Sequence, residues 1–243
     1  MISIILPIYN NSSILRLLTK EIEKNIKKIT NKYEILLIDD FSSDNSWLKI
    51  TKLVKKNYHL KGIKLKKNYG QHKAIYIGLK YCAGDIMLIM DSDYQDNPLN
   101  IMKLFKEYKK NNLVIGINEY DEFNIMRLYS NVFWIVLSLL SFKFFKRNIS
   151  NYSMSSREIV NKYLNSNSVG FFYGQLKIMN VKINYIKVKR SKRPFGKSSY
   201  NFIKCIKLAL SHIWKYNIIN RLFFFKLTNH KEEKPVVSIF INR

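Results

Sequence analysis

Cysteine is nearly absent from this chain: Cys82 and Cys205 are the only two, far apart and without the spacing of metal ligands. That excludes a disulfide framework and a thiolate zinc site, and it fits a reducing cytoplasm. Long hydrophobic runs are missing as well. The longest, residues 132–142, falls well short of the roughly 20 apolar residues that span a bilayer. Residues 1–7 lack both the basic start and the length of a signal peptide. No segment is therefore expected to cross a membrane unaided. Negative charge is scarce too, with 17 Asp and Glu against 42 Lys and Arg, a formal net charge of +25. Such a field attracts nucleic acid, anionic lipid headgroups or phosphorylated small molecules. Part of it reflects a chain crowded with Lys, Asn and Ile together.

What is present is apolar enough for a packed core: 47% of 243 residues are hydrophobic, which sets disorder aside and suits one domain with a short appendage. Residues 2–6 form a short apolar run stopped by Pro7, as in a buried parallel strand. Residues 10–13 can cap a helix through about Lys28, with Ile14, Leu17, Leu18, Ile22, Ile26 and Ile29 on one face. Strands are expected at 33–38, 62–65, 85–90 and 113–117. Helices are expected from a cap at 42–44 through Val54, at 73–81, and from Pro98 to about Lys110. This alternation predicts an α/β fold with a largely parallel sheet and helices on both faces. Beyond it, residues 125–142, 202–214 and 218–227 read as helices and 181–188 as a strand, with a basic loop at 189–199. The apolar segment 236–241 has no obvious place.

Ligands of such sheets sit beyond the carboxyl ends of the strands. The polar clusters fall there: Tyr9-Asn10, Asp39-Asp40, residues 68–73, and residues 91–96. Asp91-Ser92-Asp93 follows an apolar strand, and residues two apart on an extended chain point the same way, so both carboxylates can face one cation. Magnesium or manganese, which prefer oxygen ligands, suit that arrangement and counter charge on a departing nucleoside diphosphate. A D-x-D triplet alone is as easily a solvated turn. Gln95, Asp96 and Asp39-Asp40 add carboxylates that would repel one another without a cation. Residues 68–73 precede a helix whose first N–H groups, with Lys73, can receive an anion.

Together these motifs resemble the inverting family 2 glycosyltransferases of the GT-A fold, in the branch of polyprenyl-phosphate glycosyltransferases and dolichyl-phosphate mannose synthases. The resemblance is carried by residues 6–10, 38–44, 68–71, 84–85 and 91–98, and by a late basic motif at 190–200 containing Arg190, Arg193, Gly196, Lys197, Ser198 and Tyr200. It implies a GT-A, Rossmann-like domain over 1–227, made of a nucleotide-sugar half (1–118), an acceptor half (119–200) and membrane-proximal amphipathic helices (201–227), with a tail at 228–243. Pro7, Tyr9, Asn10, Asp39, Gly70, Gln71, Lys73, Asp91, Ser92 and Asp93 would bind a UDP-, GDP- or dTDP-sugar. Asp91, Asp93 and Gln95 would hold the divalent cation. Arg127, Ser130, Arg190, Arg193, Lys197 and Ser198 would bind acceptor or phosphate, with Asp91, Asp93, Arg193 and Lys197 carrying catalysis.

The implied acceptor is a polyprenyl phosphate at the cytoplasmic face of the membrane. A lipid phosphate, with a second pKa near ~6, is already an anion at neutral pH and needs cationic positioning more than a general base. The rival with the same donor is a saccharide hydroxyl acceptor, for which Asp96 is the obvious base. A nucleic-acid-binding module lacks any recognisable motif, and nucleic acid is not expected as a partner. A non-catalytic relative is the third reading. The chain departs from the branch at Asn11, where an acid is usual, at Asn118, where an Arg is usual, and at Asn151 and Ser153. The branch's two C-terminal transmembrane helices have no counterpart, so attachment is expected through residues 132–145 and 218–226 or through a membrane-protein partner.

Overall fold

The computed structural model describes residues 1–119, 146, 148–166, 171–190 and 236–241. Its first half runs β1 (Ile2–Ile8), α1 (Leu15–Ile26), β2 (Tyr33–Asp39), α2 (Ser46–Lys56), β3 (Leu60–Leu65), α3 (Gln71–Tyr81) and β4 (Ile86–Ile89). A 3₁₀ turn, Pro98–Asn100, leads into α4 (Ile101–Asn111) and β5 (Leu113–Glu119). There follow β6 (Ile149–Ser156), α5 (Arg157–Asn165), α6 (Phe172–Ile178), β7 (Asn184–Lys189) and β8 (Val236–Ile241).

Among the described residues the strands make one sheet of eight, ordered β7-β5-β6-β4-β1-β2-β3-β8. The pairs β1–β2, β1–β4, β2–β3 and β5–β7 are parallel; β3–β8, β4–β6 and β5–β6 are antiparallel. The sheet is thus mixed rather than largely parallel. The difference lies in β6, which enters between β4 and β5 against both, and in β8 at the far edge. Local pattern could not reveal β6. Its sequence, ISNYSMSS, reads as a polar turn, yet Tyr152 and Met154 are buried on one face while Ser153 and Ser155 are buried on the other.

Side chains of successive strand residues alternate between two cores. Ile4, Leu6, Ile35 and Leu37 face α1, α2 and α4, whereas Ile5, Leu36, Ile38 and Met87 face α3, α5 and α6. The apolar stripe of α1, at Leu15, Leu18, Ile22 and Ile26, fits the 3.6-residue period and is fully covered, whereas Leu17, expected on that face, turns outward because Leu15 and Leu18 take the stripe. On the other side Gly78 lets α3 press onto the sheet, since a Cβ there would intrude on Ile5 and Ile38.

Two expected caps move. Helix α1 begins at Leu15 with Ile14 at the cap position and no side-chain cap bond. Helix α2 begins at Ser46 with Asn45 at the cap position. Of the residues expected to cap, Asp44 accepts the Ser46 amide through Oδ1 at 2.9 Å, whereas Asn10 is occupied elsewhere. Asn10 Oδ1 accepts the amides of Ser43 (2.8 Å) and Asp44 (3.3 Å), and Asn10 N–H donates to Ser42 Oγ at 3.0 Å. The two loops are thus stitched to each other, with Asp44 Oδ2 also accepting the Ser12 amide at 3.0 Å. The helices expected at 125–142, 202–214 and 218–227, and the basic loop beyond Arg190, lie outside the described residues.

Candidate active site

Strands β1 to β4 are mutually parallel, so their carboxyl ends share one edge, and the chain turns sharply at each. Asn10 (φ 54°), Phe41 (φ 60°) and Tyr94 (φ 66°) adopt left-handed backbone, as does Gly70 (φ 86°) ahead of α3. For Phe41 and Tyr94 that costs on the order of 1–2 kcal/mol each, and such strain concentrates where function fixes the chain.

The acidic turn after β4 is the centre of the site. The chain leaves extended conformation before Asp91, so the Asp91–Asp93 pair is placed by a turn rather than by strand alternation. Five contacts hold that turn. Asp96 Oδ2 accepts the Asp91 amide at 2.8 Å. Asp93 Oδ1 accepts the Gln95 amide at 3.0 Å. Ser92 donates its hydroxyl to the Pro7 carbonyl at 2.7 Å and accepts from Asn11 Nδ2 at 2.9 Å. Gln71, the first residue of α3, donates its side-chain amide to Asp91 Oδ1. The beginning of α3 is thereby aimed at the acids. Lys73, in the same turn, has its ammonium 5.2 Å from the centroid of the Tyr76 ring.

The charges at this centre are crowded. Burial, then Asp93, pushes the Asp91 carboxyl up, opposed by the Arg190 guanidinium. Burial, then Asp91, pushes Asp96 further in the same direction. Arg190, at the end of β7, donates to Gln95 Oε1 at 2.9 Å. Asn151 on β6 reaches Asp91 Oδ1 at 3.5 Å. Among the described residues no three His, Cys, Asp or Glu side chains gather as a ready metal cage.

A second pocket of acidity lies at the end of β2. Asp40 accepts the amides of Tyr69 and Gly70, each at 2.8 Å, and burial together with Asp39 pushes it up to about 6 against those bonds. Asp39 is fully buried, and neither carboxylate oxygen has a donor in hydrogen-bonding geometry. Burial pushes its carboxyl up too, with the nearby Ser42 and Lys64 acting in the opposite direction. An acceptor-only group held without a donor is suited to a ligand N–H or O–H. Tyr9, which follows the Ile8 paired with Asp39 across β1 and β2, remains 41% exposed.

The structure therefore brings Asp91, Ser92, Asp93, Gln95, Gln71 and Arg190 together, linked to Pro7 through Ser92. Asn10, Asp39 and Gly70 belong to the adjoining loops. Arg127, Ser130, Arg193, Lys197 and Ser198 lie outside the described residues. Sequence reasoning missed the supporting roles of Ser150 and Asn151, because nothing local marks β6 as the strand beside β4. Asp96, the expected base for a hydroxyl acceptor, is turned inward: Oδ1 accepts the Ser150 hydroxyl at 3.2 Å while Oδ2 holds the Asp91 amide.

Comparison with known proteins agrees with this architecture. The model of the family described as glycosyl transferase family 2 matches residues 3–184. The undecaprenyl-phosphate 4-deoxy-4-formamido-L-arabinose transferase of Photorhabdus laumondii is 30% identical over 213 residues, 85% of this chain and 65% of that protein. Its counterpart from Yersinia enterocolitica is 28% identical over 214 residues, 85% and 64% of the two chains. The chain thus spans slightly less than two thirds of the length of these relatives. Among solved structures, glucosyl-3-phosphoglycerate synthase from Mycobacterium tuberculosis, in complex with Mn²⁺, UDP and glucosyl-3-phosphoglycerate, superposes with a TM-score of 0.65 at 13% identity, covering 89% of this chain and 80% of that one. That likeness shows a shared GT-A fold. With the family match running from β1 to the start of β7 and every acid of the site inside it, this chain belongs to glycosyl transferase family 2.

Proposed function

We propose that this glycosyltransferase moves a sugar from a nucleoside-diphosphate donor to a polyprenyl phosphate at a membrane surface. The observation that carries the acceptor reading is the commitment of Asp96. An attacking hydroxyl must surrender its proton to a base, yet both oxygens of Asp96 are engaged by protein donors, as are both oxygens of Asp40. An acceptor that arrives as an anion has no such need. The names of the two bacterial relatives, both undecaprenyl-phosphate transferases, support the same acceptor.

In this reading the donor's base and ribose meet Asp39, whose unpartnered oxygens accept from them, and its diphosphate lies between the acidic turn and the start of α3. Asp91 and Asp93, with Gln95, would hold a divalent cation. One or two protein oxygens suffice, because magnesium and manganese complete their shells with phosphate and water. The Mn²⁺-containing synthase complex with the same fold supports this cofactor class. The cation supplies charge stabilisation for the leaving diphosphate. Arg190 lies on the same side and would add a second positive group, with Arg193 and Lys197 assigned to phosphate as well. An acceptor phosphate oxygen forms a bond to the anomeric carbon while the bond from that carbon to the donor phosphate breaks, releasing the nucleoside diphosphate.

The test is transfer from a panel of nucleotide sugars onto short-chain polyprenyl phosphate, with manganese, magnesium or EDTA. A cation-dependent glycosyl phospholipid supports the reading. Cation-dependent transfer to a saccharide with no lipid product moves the acceptor to a hydroxyl and overturns the role given to Asp96.

A further inference from the structure

The two helical layers of the sheet carry very different charge. On α1 the exposed ionisable side chains are Arg16, Lys20 and Lys24; on α2 they are Lys49, Lys52, Lys55 and Lys56. The neighbouring α4 adds exposed Lys106, Lys109 and Lys110. No carboxylate on these three helices is exposed. Glu21, Glu23 and Glu107 are half-buried, with Glu23 accepting from Tyr33 and Asn57, and Glu107 accepting from Asn111 and pairing with Lys110 at 3.5 Å. Among the described residues the opposite layer has little of this. Lys80 is exposed on α3, and Lys162 on α5 is paired with Glu158 at 2.7 Å. A lysine-rich composition alone would load both layers. Among the described residues the load lies on one side.

The cationic layer also has an apolar rim, and the rim adjoins the active site. Leu17 lies in the first turn of α1, Leu48 in the first turn of α2, and Leu99 in the 3₁₀ turn that follows the acidic residues. They are 49%, 52% and 65% exposed. The starts of α1 and α2 are side by side, since Asn11 N–H donates to Ser46 Oγ at 3.1 Å and Lys49 Nζ donates to the Ser12 carbonyl at 3.0 Å. The 3₁₀ turn packs against α1. Exposed leucines backed by a field of lysines are the ingredients of interfacial attachment: shallow apolar insertion combined with attraction to anionic headgroups.

We infer that the outer face of α1, α2 and α4 docks on an anionic lipid bilayer, with the leucine rim seated in the headgroup layer so that the site's edge opens onto the membrane. The attractions of lysines near such a surface add together, so several hold a protein that no single one would. The choice of a lipid surface over another polyanion rests on the lipid-phosphate acceptor proposed above and on the leucines, which a nucleic acid backbone would leave exposed.

The test is flotation of the full chain with vesicles of phosphatidylcholine alone or with about 30% phosphatidylglycerol. Wild type should float with the anionic vesicles only and detach at high salt. Lys20→Glu, Lys24→Glu, Lys52→Glu and Lys56→Glu together should lower partitioning about tenfold or more; the same four changed to Gln should act in the same direction without adding acid. Leu17→Ser with Leu48→Ser should weaken it at every salt concentration. Lys80→Glu with Lys162→Glu, on the opposite layer, should leave it within about twofold, since that face does not meet the headgroups. Equal losses from both layers, no loss from the first, or tighter binding to RNA than to vesicles would overturn the inference. All variants are also assayed for transfer in detergent micelles. A wild type that floats as described but glycosylates no lipid phosphate removes the acceptor reading and leaves the docking face standing.

Discussion

Asp93 and Asp39 are buried to different degrees at one sheet edge, and their replacement separates chemistry from stability. Asp93 accepts one amide in its own turn, so Asp93→Asn should abolish transfer with a melting temperature within a few degrees of wild type. A folded, fully active variant would remove Asp93 from the site. Asp39 is the opposite case. Its charge is buried without a donor, its carboxyl is pushed up by burial, and the cost of ionising it in the folded state grows as pH rises. Asp39→Asn removes that cost. It should melt no lower than wild type at neutral pH while binding a nucleoside diphosphate at least ~10-fold more weakly, as expected when a buried charged hydrogen bond is lost. Unchanged binding by calorimetry would dissociate Asp39 from the donor. Both acids were legible in the sequence because they sit directly after apolar runs. The tie from Asn11 through Ser92 to Pro7 was not, because Ser92 follows β4 while Pro7 and Asn11 belong to the end of β1, and only folding brings them within 2.9 Å.

At the level of elements, the parallel core of β1 to β4 was readable from continuous apolar runs, and the helices between them from their 3.6-residue stripes. Boundaries shifted where loops bonded to each other, as at Asn10 and Ser43. Strand β6 escaped because small serines replace the β-branched residues a buried strand ordinarily shows. Away from the site, β1, β2 and β3 are joined by a buried acid. Glu34 on β2 accepts from Lys61 on β3 at 2.6 Å, from Ser3 on β1 at 2.6 Å and from the Ala83 amide at 2.6 Å. Burial alone would raise its carboxyl, but the Lys61, Ser3 and Ala83 donors outweigh burial and hold it below the ordinary value. A depressed folded-state pKa gives stability that is present above the ordinary glutamate range and lost as pH falls through the lowered value. Lys61→Met should therefore cost about 1–3 kcal/mol at neutral pH and move acid unfolding to higher pH. A variant with the wild-type acid midpoint would mean that Ser3 and Ala83 suffice alone.

Across the whole molecule, residues distant in sequence close the sheet. Val236–Ile241, which no sequence pattern placed, runs antiparallel to β3, pairing Lys61 with Ile241 and Lys64 with Ser238. Deleting residues 236–241 leaves the β3 edge with unpaired amides and carbonyls, so the truncated protein should melt lower and form larger species with concentration in light scattering. A monodisperse truncation with the same melting temperature would show that this strand adds nothing to the edge. The sheet order has a temporal meaning as well. Strand β3 is complete early in synthesis, but its outer partner emerges only after well over half of the chain has followed. On the ribosome the β1–β2–β3 unit therefore waits with one side open, and the lysines at positions 61 and 64 stand along that open side. Charge of one sign there discourages two nascent chains from joining edge to edge, so Lys61, which holds Glu34 in the finished protein, and Lys64 also act as guards during its assembly.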